Sequence, residues 1–421
     1  MTKMAQPRYC GIDFGTSNST VAVRKGNDIV LAPVEGTQAT IPSAIFFSFA
    51  EGPLFGRRAI QDYTDHEPGR LMRALKSILG YGLFHEKTRL HKQNLALSDV
   101  LGLFIGHLKA RGEDCAGQEL EAVVLGRPVQ FIEGDADADR QAQDDLEAAT
   151  RKRGFKHIGF QYEPIAAALE YESGVQAEEL VLIVDIGGGT ADFSVVRVSP
   201  ERARKADRSD DILANRGIRI GGTDFDRMLS MHYVMPHFGL GSTYGEKKLE
   251  VPRALFLDLS TWSRINFLYS QTTLATVRSL RREAQERDKF DRLLHILEQH
   301  DGHRLIENVE RAKIDLTENA QTVVDLHRFI PELHIPLNRS GVAKAVAPGV
   351  KRIVETIAET LADAGLKPDQ VDTVFMTGGS SLMPAVQKEV SRLLKRTDLA
   401  SGDMFGAVGR GLGLDAQRRF A

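Results

Sequence analysis

A short motif occurs twice in this chain, and its repetition restricts the folds that the sequence can adopt. Residues 9–24 read as an apolar strand, the turn Asp-Phe-Gly-Thr-Ser-Asn and a second strand. Residues 180–198 repeat this order around the turn Asp-Ile-Gly-Gly-Gly-Thr. The leading aspartates, Asp13 and Asp185, are about 170 positions apart, close to the length of one domain. We therefore predict that a similar β-hairpin begins each of two successive halves, which face each other.

Other segments alternate between strand and helix patterns, as expected for an α/β protein. A buried strand at 121–125 precedes a charged, alanine-rich helix at 135–153 that Gly154 ends. The further elements that we predict are amphipathic helices at 71–79 and 351–364, strands at 157–162 and 373–376, and a helix at 165–172 with Pro164 in its first turn. Residues 240–304 are irregular at first and then highly charged and helical, so we interpret 240–305 as an insertion on the outer lobe.

The composition is that of a folded protein without a strong net charge. Hydrophobic residues make up 42% and charged residues 26% of the 421 positions, which suits a globular chain with two cores. The 54 basic and 57 acidic residues nearly cancel, so charge does not indicate binding to nucleic acid or membrane. Only two cysteines occur, and no stretch resembles a signal peptide or a membrane span. We predict a cytoplasmic protein that binds neither nucleic acid nor membrane.

The first turn has the residue types of a phosphate-binding loop. Gly15 permits a tight turn, and the N–H groups and hydroxyls of Thr16, Ser17 and Asn18 can surround phosphate oxygens. The Asp13 carboxylate would be repelled by a polyphosphate unless a cation lay between them, which implies Mg²⁺ held largely through water. Taken alone, the turn fits an ordinary hairpin with a capping aspartate better.

The second turn makes phosphate binding the better interpretation of both. Three glycines in a row, at 187–189, cost folding entropy and contribute nothing to a core. Close approach of the backbone to phosphate explains them, given that the first loop is also present. Two glycine pairs, at 221–222 and 378–379, are less specific, and the first also reads as a turn that leads into a helix capped by Thr223 or Asp224.

Six segments resemble, in the same order, the nucleotide-binding domain of DnaK-type heat-shock chaperones, within the superfamily of actins, sugar kinases and chaperone ATPases. In chain order they are the first phosphate loop (13–18), the catalytic-lysine segment (73–80), the catalytic-glutamate segment (162–169), the second phosphate loop (185–192), the ribose and adenine helix (310–317) and the adenosine turn (378–380). The resemblance extends from Arg8 to about Leu414. It implies bound ATP or ADP with Mg²⁺.

The resemblance also implies a fold and a division into lobes. The fold would be α/β of the actin-like ATPase class, with two duplicated ribonuclease-H-like lobes around a nucleotide cleft. Lobe I would span 1–179, joined by the C-terminal residues 400–421. Lobe II would span 180–399 and carry the extended helical insertion at about 240–305.

Applied residue by residue, the resemblance assigns a site. The predicted catalytic residues are Lys76, Glu163, Asp185 and Thr190. The predicted nucleotide-binding residues are Gly15, Thr16, Ser17, Asn18, Gly187, Gly188, Gly189, Gly221, Gly222, Glu310, Lys313, Thr317, Gly378, Gly379, Ser380 and Leu382. The predicted metal residues are Asp13, Asp185 and Asp192, mainly through water. Leu382 stands where the family has an arginine that stacks on adenine, so adenine affinity or base selectivity is expected to differ.

The residues themselves allow plainer interpretations. Lys76 alone would be a solvated surface lysine, and Glu163 a first-turn carboxylate that the helix dipole favours. The charges at 310, 313 and 317 share one helix face and alone would form an exposed, salt-bridged stripe. Under the functional interpretation Lys76 stabilises charge on the transferred phosphoryl group, and Glu163 orients water or that lysine. Asp185 would then position water.

We therefore expect an Hsp70-like, DnaK-type protein that hydrolyses Mg-ATP slowly as a conformational switch, read by a protein partner whose identity the sequence does not give. The sequence ends where the ATPase resemblance ends, so we expect no peptide-binding domain, as in the short stand-alone chaperone-like proteins of the YegD type. One alternative is a nucleotide-binding module that regulates a protein partner without hydrolysis. A less favoured alternative is a small-molecule kinase of the same superfamily.

Overall fold

The computed structural model of the chain describes residues 8–80, 84, 86–90, 93–132, 134–172, 174–205, 207–396, 399–401 and 406–421. The chain divides into two compact units. The first comprises Met1–Ile218, Thr356–Ser381 and Leu394–Ala421, and the second comprises Arg219–Glu355 and Leu382–Leu393. The predicted lobes, 1–179 with 400–421 and 180–399, are a different division of the chain and stay a prediction.

Strands and helices alternate along most of the chain. The strands of its first part are β1 (Tyr9–Phe14), β2 (Asn18–Lys25), β3 (Asp28–Leu31), β4 (Ile41–Pro42), β5 (Ala44–Ser48), β6 (Gly52–Phe55), β7 (Gly69–Arg73), β8 (Lys87–Leu90), β9 (Gln93–Ala96), β10 (Ala122–Arg127) and β11 (His157–Tyr162). The later strands are β12 (Glu179–Ile186), β13 (Ala191–Val198), β14 (Ile212–Ile218), β15 (Thr243–Tyr244), β16 (Leu249–Glu250), β17 (Gln321–Asp325), β18 (His334–Asn338), β19 (Thr373–Thr377) and β20 (Ala400–Ser401). The helices are α1 (Gly56–Thr64), α2 (Leu97–Ala116), α3 (Ala136–Arg151), α4 (Glu163–Glu172), α5 (Gly222–Leu229), α6 (Arg253–Leu259), α7 (Gln271–Glu283), α8 (Arg287–Glu298), α9 (Gly302–Glu318), α10 (Arg339–Asp363), α11 (Pro384–Leu394) and α12 (Ala407–Phe420).

Each of the two predicted hairpins forms the centre of a larger sheet. The first sheet has the order β11-β10-β1-β2-β3, with β4 paired to β2, and the second has the order β20-β19-β12-β13-β14. In both sheets the first hairpin strand pairs antiparallel with the second and parallel with its other neighbour. The shared order and directions confirm the predicted α/β duplication. They also place Asp13 and Asp185 at equivalent positions, one residue before the end of β1 and of β12.

Two helices of the first unit lie between these sheets. One buried cluster joins residues of both sheets to residues of α4 and α12. A Cβ added to Gly411 would lie 1.8 Å from the carbonyl oxygen of Ala166, so the two helices approach too closely for a side chain at this point. Helices α2 and α3 cover the opposite face of the first sheet. Because α4 is packed on both sides, its first residue, Glu163, is held in a fixed position.

Several predicted elements have the expected bounds or ends. Strand β11 coincides with the predicted strand at 157–162. Helix α3 begins after Asp135, whose carboxylate accepts the N–H groups of Asp137 and Ala138 as an N-cap. Gly154, at φ 90°, follows the end of this helix, as predicted.

Helix α10 is present but much longer than predicted. It begins at Arg339 instead of residue 351 and continues through Pro348. Proline removes a helical hydrogen bond, which opposes a helix that continues through it. The buried side chains of Val346 and Val350 on either side anchor the helix and offset that loss.

The helix predicted at 71–79 is wrong. Its first residues belong to β7, which pairs antiparallel with β5, and a short 3₁₀ turn follows at Leu75–Ile78. Ala74 between them has φ 55°, a left-handed conformation that interrupts a helix. The side chains of Leu75 and Leu79 are buried and anchor the turn. The hydrophobic pattern of residues 71–79 is that of an amphipathic helix. Pairing with a strand distant in the sequence nevertheless decides the conformation.

The second compact unit contains α5 to α9 and two hairpins, β15–β16 and β17–β18. Helix α5 packs against α9, and α7 packs against α8. Gly221 precedes α5, and the Asp224 carboxylate accepts its N–H at 3.0 Å, which confirms the predicted capped turn. The proposed insertion at 240–305 holds β15, β16 and α6 to α8, and its status as an insertion stays a prediction.

None of the helices in the described parts of the chain is long and apolar enough to cross a membrane.

Candidate functional site

The first predicted phosphate loop is a tight turn between β1 and β2. A Cβ on Gly15 would lie 2.2 Å from the carbonyl oxygen of Asn18, so the turn requires glycine. Ser43 fixes the loop from outside: its hydroxyl donates to the Gly15 carbonyl at 2.6 Å, and its N–H donates to the Ser17 carbonyl at 2.8 Å. The sequence prediction missed Ser43, although a serine inside the largely apolar run 41–47 was an available signal.

The second predicted phosphate loop connects β12 and β13. The Gly187 N–H donates to the Thr190 carbonyl at 2.9 Å and closes the turn. The Ser380 hydroxyl donates to the Gly187 carbonyl at 3.3 Å. A Cβ on Gly378, which has φ 77°, would lie 2.4 Å from the carbonyl oxygen of Ile186. The predicted adenosine turn therefore packs directly against the second loop.

The two loops are far apart in sequence, yet they are in contact. A Cβ on Gly188 would lie 2.1 Å from the hydroxyl oxygen of Ser17 and 3.0 Å from its Cβ. At Gly189, next in the chain, an added Cβ would meet no atom within 4 Å. The backbone N–H groups and hydroxyls of both loops therefore border the same space, as binding of one phosphate chain by both requires.

A methyl group at position 188 is expected to force the loops apart. Gly188→Ala should lower the free energy of unfolding by about 1 kcal/mol, because the methyl displaces the Ser17 side chain. Gly189→Ala, the matched control, should change it by less than about 0.5 kcal/mol. A double-mutant cycle by thermal or denaturant unfolding tests the contact, since Ser17→Ala should relieve part of the cost of Gly188→Ala. Strict additivity would mean that the loops do not touch in solution.

Four carboxylates and one lysine lie together behind the loops. The Lys76 ammonium forms an ion pair with Glu163 Oε1 at 2.5 Å, and the two side chains are only 10% and 18% exposed. Charge interactions also link Lys76 to Asp13 and Asp192, and Asp185 to all four of these residues. The structure thus brings Lys76 and Glu163 together with the three predicted metal residues, and Lys76 is not a solvated surface lysine.

The charge balance of this cluster keeps Lys76 protonated. Burial alone would lower the pKa of Lys76, but the carboxylates of Glu163 and Asp13 outweigh it and raise that pKa above the ordinary lysine value. An ammonium that stays charged serves as an electrostatic stabiliser and not as a general base. The 3₁₀ turn at Leu75–Ile78 presents this ammonium, and the start of α4 presents its partner.

The carboxylates carry more negative charge than one lysine neutralises. Burial and the charge of Glu163 raise the pKa of Asp13 to about 7 and that of Asp192 to about 6, although Lys76 lowers both. A hydrogen bond from Thr190 to Asp192 also lowers the Asp192 value. Burial and the charge of Asp192 raise the pKa of Asp185 well above its usual range. The cluster therefore favours an added cation or added protons.

Carboxylate oxygens are the donors that Mg²⁺ prefers in proteins, so the chemistry of this cluster fits that ion. In the described part of the chain, no three His, Cys, Asp or Glu side chains are grouped closely enough to bind one metal ion directly. An ion near Asp13, Asp185 and Asp192 would therefore be held through its water shell and through ligand oxygens. Water-mediated binding of this kind is common for Mg²⁺ because the ion loses its water reluctantly.

Six predicted nucleotide-binding residues belong to the second compact unit: Gly221, Gly222, Glu310, Lys313, Thr317 and Leu382. Within that unit the Lys313 ammonium bonds to the Asp226 carboxylate at 2.8 Å and to the Gly222 carbonyl at 3.1 Å. Lys313 is thus a buried cross-link between α9 and the start of α5. The Thr317 hydroxyl donates to its own helix, at the Ile314 carbonyl.

Sequence reasoning missed Asp226, the partner of Lys313. Its side chain is only 5% exposed, and burial raises its pKa to about 6 even though Lys313 lowers it. The available signal was the position of Asp226, which follows Phe225 in the helix after the glycine pair. A charge buried at such a position is costly unless it has a partner. Lys313 therefore joins α9 to α5 through the buried ion pair with Asp226 and the hydrogen bond to the Gly222 carbonyl.

Comparison with known proteins supports a family assignment. Residues 82–240 and 275–417 match the sequence model of the family described as "Hsp70 protein". These two segments cover well over half of the 421 residues and contain Glu163, the second phosphate loop, α9 and the adenosine turn. The first loop and Lys76 lie outside the matched residues, so their assignment depends on the contacts described above. On this match and this fold the chain belongs to the Hsp70 family, as a nucleotide-binding protein with the actin-like ATPase fold.

Proposed function

We propose that the protein binds Mg-ATP with its phosphates between the two glycine loops, hydrolyses it slowly to ADP and phosphate, and thereby acts as a conformational switch. The nucleotide state would be read by a protein partner. Family membership supports nucleotide binding. Hydrolysis and switching are inferences from the arrangement of the site.

The observation that carries this proposal is the buried Lys76–Glu163 ion pair beside Asp13, Asp185 and Asp192. A surface ion pair contributes little to stability and does not require three further carboxylates around it. The surplus negative charge even opposes folding of the free protein. Such an arrangement is explained by a bound cation and a polyphosphate, which the two loops can hold.

Each residue has a distinct task in this proposal. The loops supply N–H groups and hydroxyls to the phosphate oxygens, and Thr190 adds a hydroxyl beside Asp192. The Lys76 ammonium stabilises charge on the transferred phosphoryl group, and Glu163 fixes the direction of that ammonium. Asp185 accepts a hydrogen bond from the attacking water and orients it. When bound, Mg²⁺ neutralises the phosphate and carboxylate charges.

Two alternatives predict different chemistry. A nucleotide-binding module without turnover would use the same loops and could use the ammonium for binding, but would not need that ammonium held in one direction by a buried carboxylate. A small-molecule kinase would need a base that activates a substrate hydroxyl, and the five residues of the cluster already have tasks in hydrolysis. We therefore favour hydrolysis, with the non-hydrolysing module as the second choice.

Single-turnover hydrolysis tests the proposal. Purified protein in excess over radiolabelled ATP should convert it to ADP and phosphate with Mg²⁺, and EDTA should stop the reaction. Binding of ATP without conversion over hours would identify the non-hydrolysing module instead. Transfer of phosphate to an added metabolite, faster than to water, would identify a kinase.

A further inference from the structure

A small cavity lined by polar residues on one side and apolar residues on the other lies in the first compact unit, beside the catalytic carboxylates. Its polar lining residues are Glu163, Asp185, Asp192, Ser194, Asn215 and Thr377. Apolar residues of α4 and α12 form the opposite wall. Among the described residues, none of the phosphate-loop positions 15–18 and 187–189 lines it. The cavity therefore reaches the catalytic cluster from a side that the loops do not occupy.

The strand register explains the position of this cavity. Asp185 lies opposite Asp192, and Ser194 lies opposite Asn215 on the next strand. Alternate residues of a strand share one face, so Asp192 and Ser194 both point toward α4 and α12. Ser194 lies two residues farther from the turn than Asp192. The polar row thus continues from the carboxylates into the interior of the sheet.

Polar side chains are unexpected at this place. The middle of the same sheet face is apolar, with Val181, Ile183 and Val196 in the core. Ser194 is nevertheless 2% exposed, and its hydroxyl donates to the Asn215 side-chain oxygen at 2.7 Å. The Asn215 amide nitrogen makes no hydrogen bond to any residue that the structure describes. The Asn215 side chain is only partly buried, so its amide nitrogen is free to donate to a water molecule.

The size of the cavity indicates what this amide can bind. The cavity is partly open to solvent, and its enclosed part has room for about one water molecule. Small cavities lined by polar groups hold ordered water, whereas empty ones are apolar. Water matches both the enclosed space and the free donor of the Asn215 amide.

We propose that this cavity is a water site that supplies the nucleophile to the phosphate held by the loops. The proposal rests on the hydrolysis described under Proposed function. The water oxygen forms a bond to the γ-phosphorus as the bond from that phosphorus to the bridging oxygen breaks, and the electron pair stays on ADP. Both hydrogens of the water stay on the phosphate product. While a nucleotide occupies the loops, Ser194 and Asn215 hold the water molecule that will attack it.

Filling the cavity tests the proposal. Ser194→Val and Asn215→Leu add apolar volume from two different strands and touch none of the residues that bind phosphate. Each should lower the single-turnover rate at least about tenfold, because water must then enter by a slower route. ADP affinity by calorimetry should stay within about twofold. Thr360→Val replaces another fully buried hydroxyl, far along the chain in α10, and should leave the rate within about twofold.

A high-resolution crystal structure gives an independent readout. Wild-type protein should show an ordered water within hydrogen-bond distance of the Asn215 amide, and Ser194→Val should lack it. If the filling variants do not fold, Ser194→Ala removes the hydroxyl without adding volume and should slow hydrolysis about threefold. Unchanged rates in folded variants, or a dry cavity in the wild type, would overturn the water site.

The two proposals fail in different ways. If the water site alone is wrong, wild-type hydrolysis and its dependence on Lys76 persist while the filling variants behave like the wild type. If the proposed function is wrong, the wild type itself converts no ATP, and the water site falls with it.

Discussion

Lys76→Ala is expected to lower the single-turnover rate of ATP hydrolysis by about 10²–10³-fold, the effect of removing one preorganised electrostatic stabiliser from a buried site. The ammonium is paired with Glu163 at 2.5 Å and stays protonated because carboxylates surround it. No other described lysine or arginine forms an ion pair with Glu163. Quench-flow or filter assays with Mg²⁺ measure the rate.

A second lysine provides a matched control. Lys156 forms an ion pair with Glu121 at the same 2.5 Å, but its side chain is 67% exposed. Lys156→Ala should therefore leave the rate within about twofold. Lys76→Met keeps most of the apolar part of the side chain, so it separates the loss of charge from the loss of packing. Its rate of hydrolysis should be as low as that of Lys76→Ala. A folded Lys76→Met protein with the wild-type rate would remove Lys76 from the mechanism.

Local patterns in the sequence were sufficient for the hairpins but not for the segment that carries Lys76. The turns after Asp13 and Asp185 are defined by glycines and by apolar alternation within a few residues, so both hairpins could be predicted. The segment at 71–79 has a helix-like pattern, yet it forms a strand end and a 3₁₀ turn. Its conformation depends on β5, about 25 residues earlier, and no local pattern contains that partner.

The same reason explains which site residues were missed. Ser43 holds the first loop and Asp226 holds Lys313, and each acts through a contact to a residue distant in the chain. Lys76 itself could be assigned only through resemblance, since its residue type favours a surface position. In the sequence, Ser194 and Asn215 look like ordinary strand residues. Only the strand register shows that they lie near Asp192.

Asp13→Asn is expected to stabilise the protein when Mg²⁺ and nucleotide are absent. The pKa of Asp13 is raised to about 7 by burial and by Glu163, so its ionisation costs folding free energy. In the unfolded chain the group ionises near pH 4, and the folded protein therefore holds an extra proton between about pH 4 and pH 7. Stability contributed by this group falls as pH rises through that window. The cost is largest above pH 7.

The gain from Asp13→Asn should thus be about 1–2 kcal/mol at pH 8, a shift of roughly 1–2 °C in Tm for a chain of this length, and should shrink steadily toward pH 5. The figure allows for partial exposure of the carboxylate, which solvent screens. Asp207, an exposed aspartate whose pKa is lowered by the backbone N–H of Ser209, is the control. Asp207→Asn should give no gain at any pH. Thermal unfolding in EDTA at several pH values measures both.

Addition of Mg-ATP should reverse the order of the two proteins. A cation near Asp13, Asp185 and Asp192 removes the repulsion that Asp13→Asn relieves, and it binds the wild type more strongly because that protein offers one more charge. The wild type should therefore gain more in Tm from Mg-ATP than the variant gains. A variant that is less stable without ligand, or equally stabilised by Mg-ATP, would show that the surplus charge of the cluster is not reserved for a cation. The grouping of these carboxylates, which lowers the stability of the free protein, would then have a cause other than cation binding.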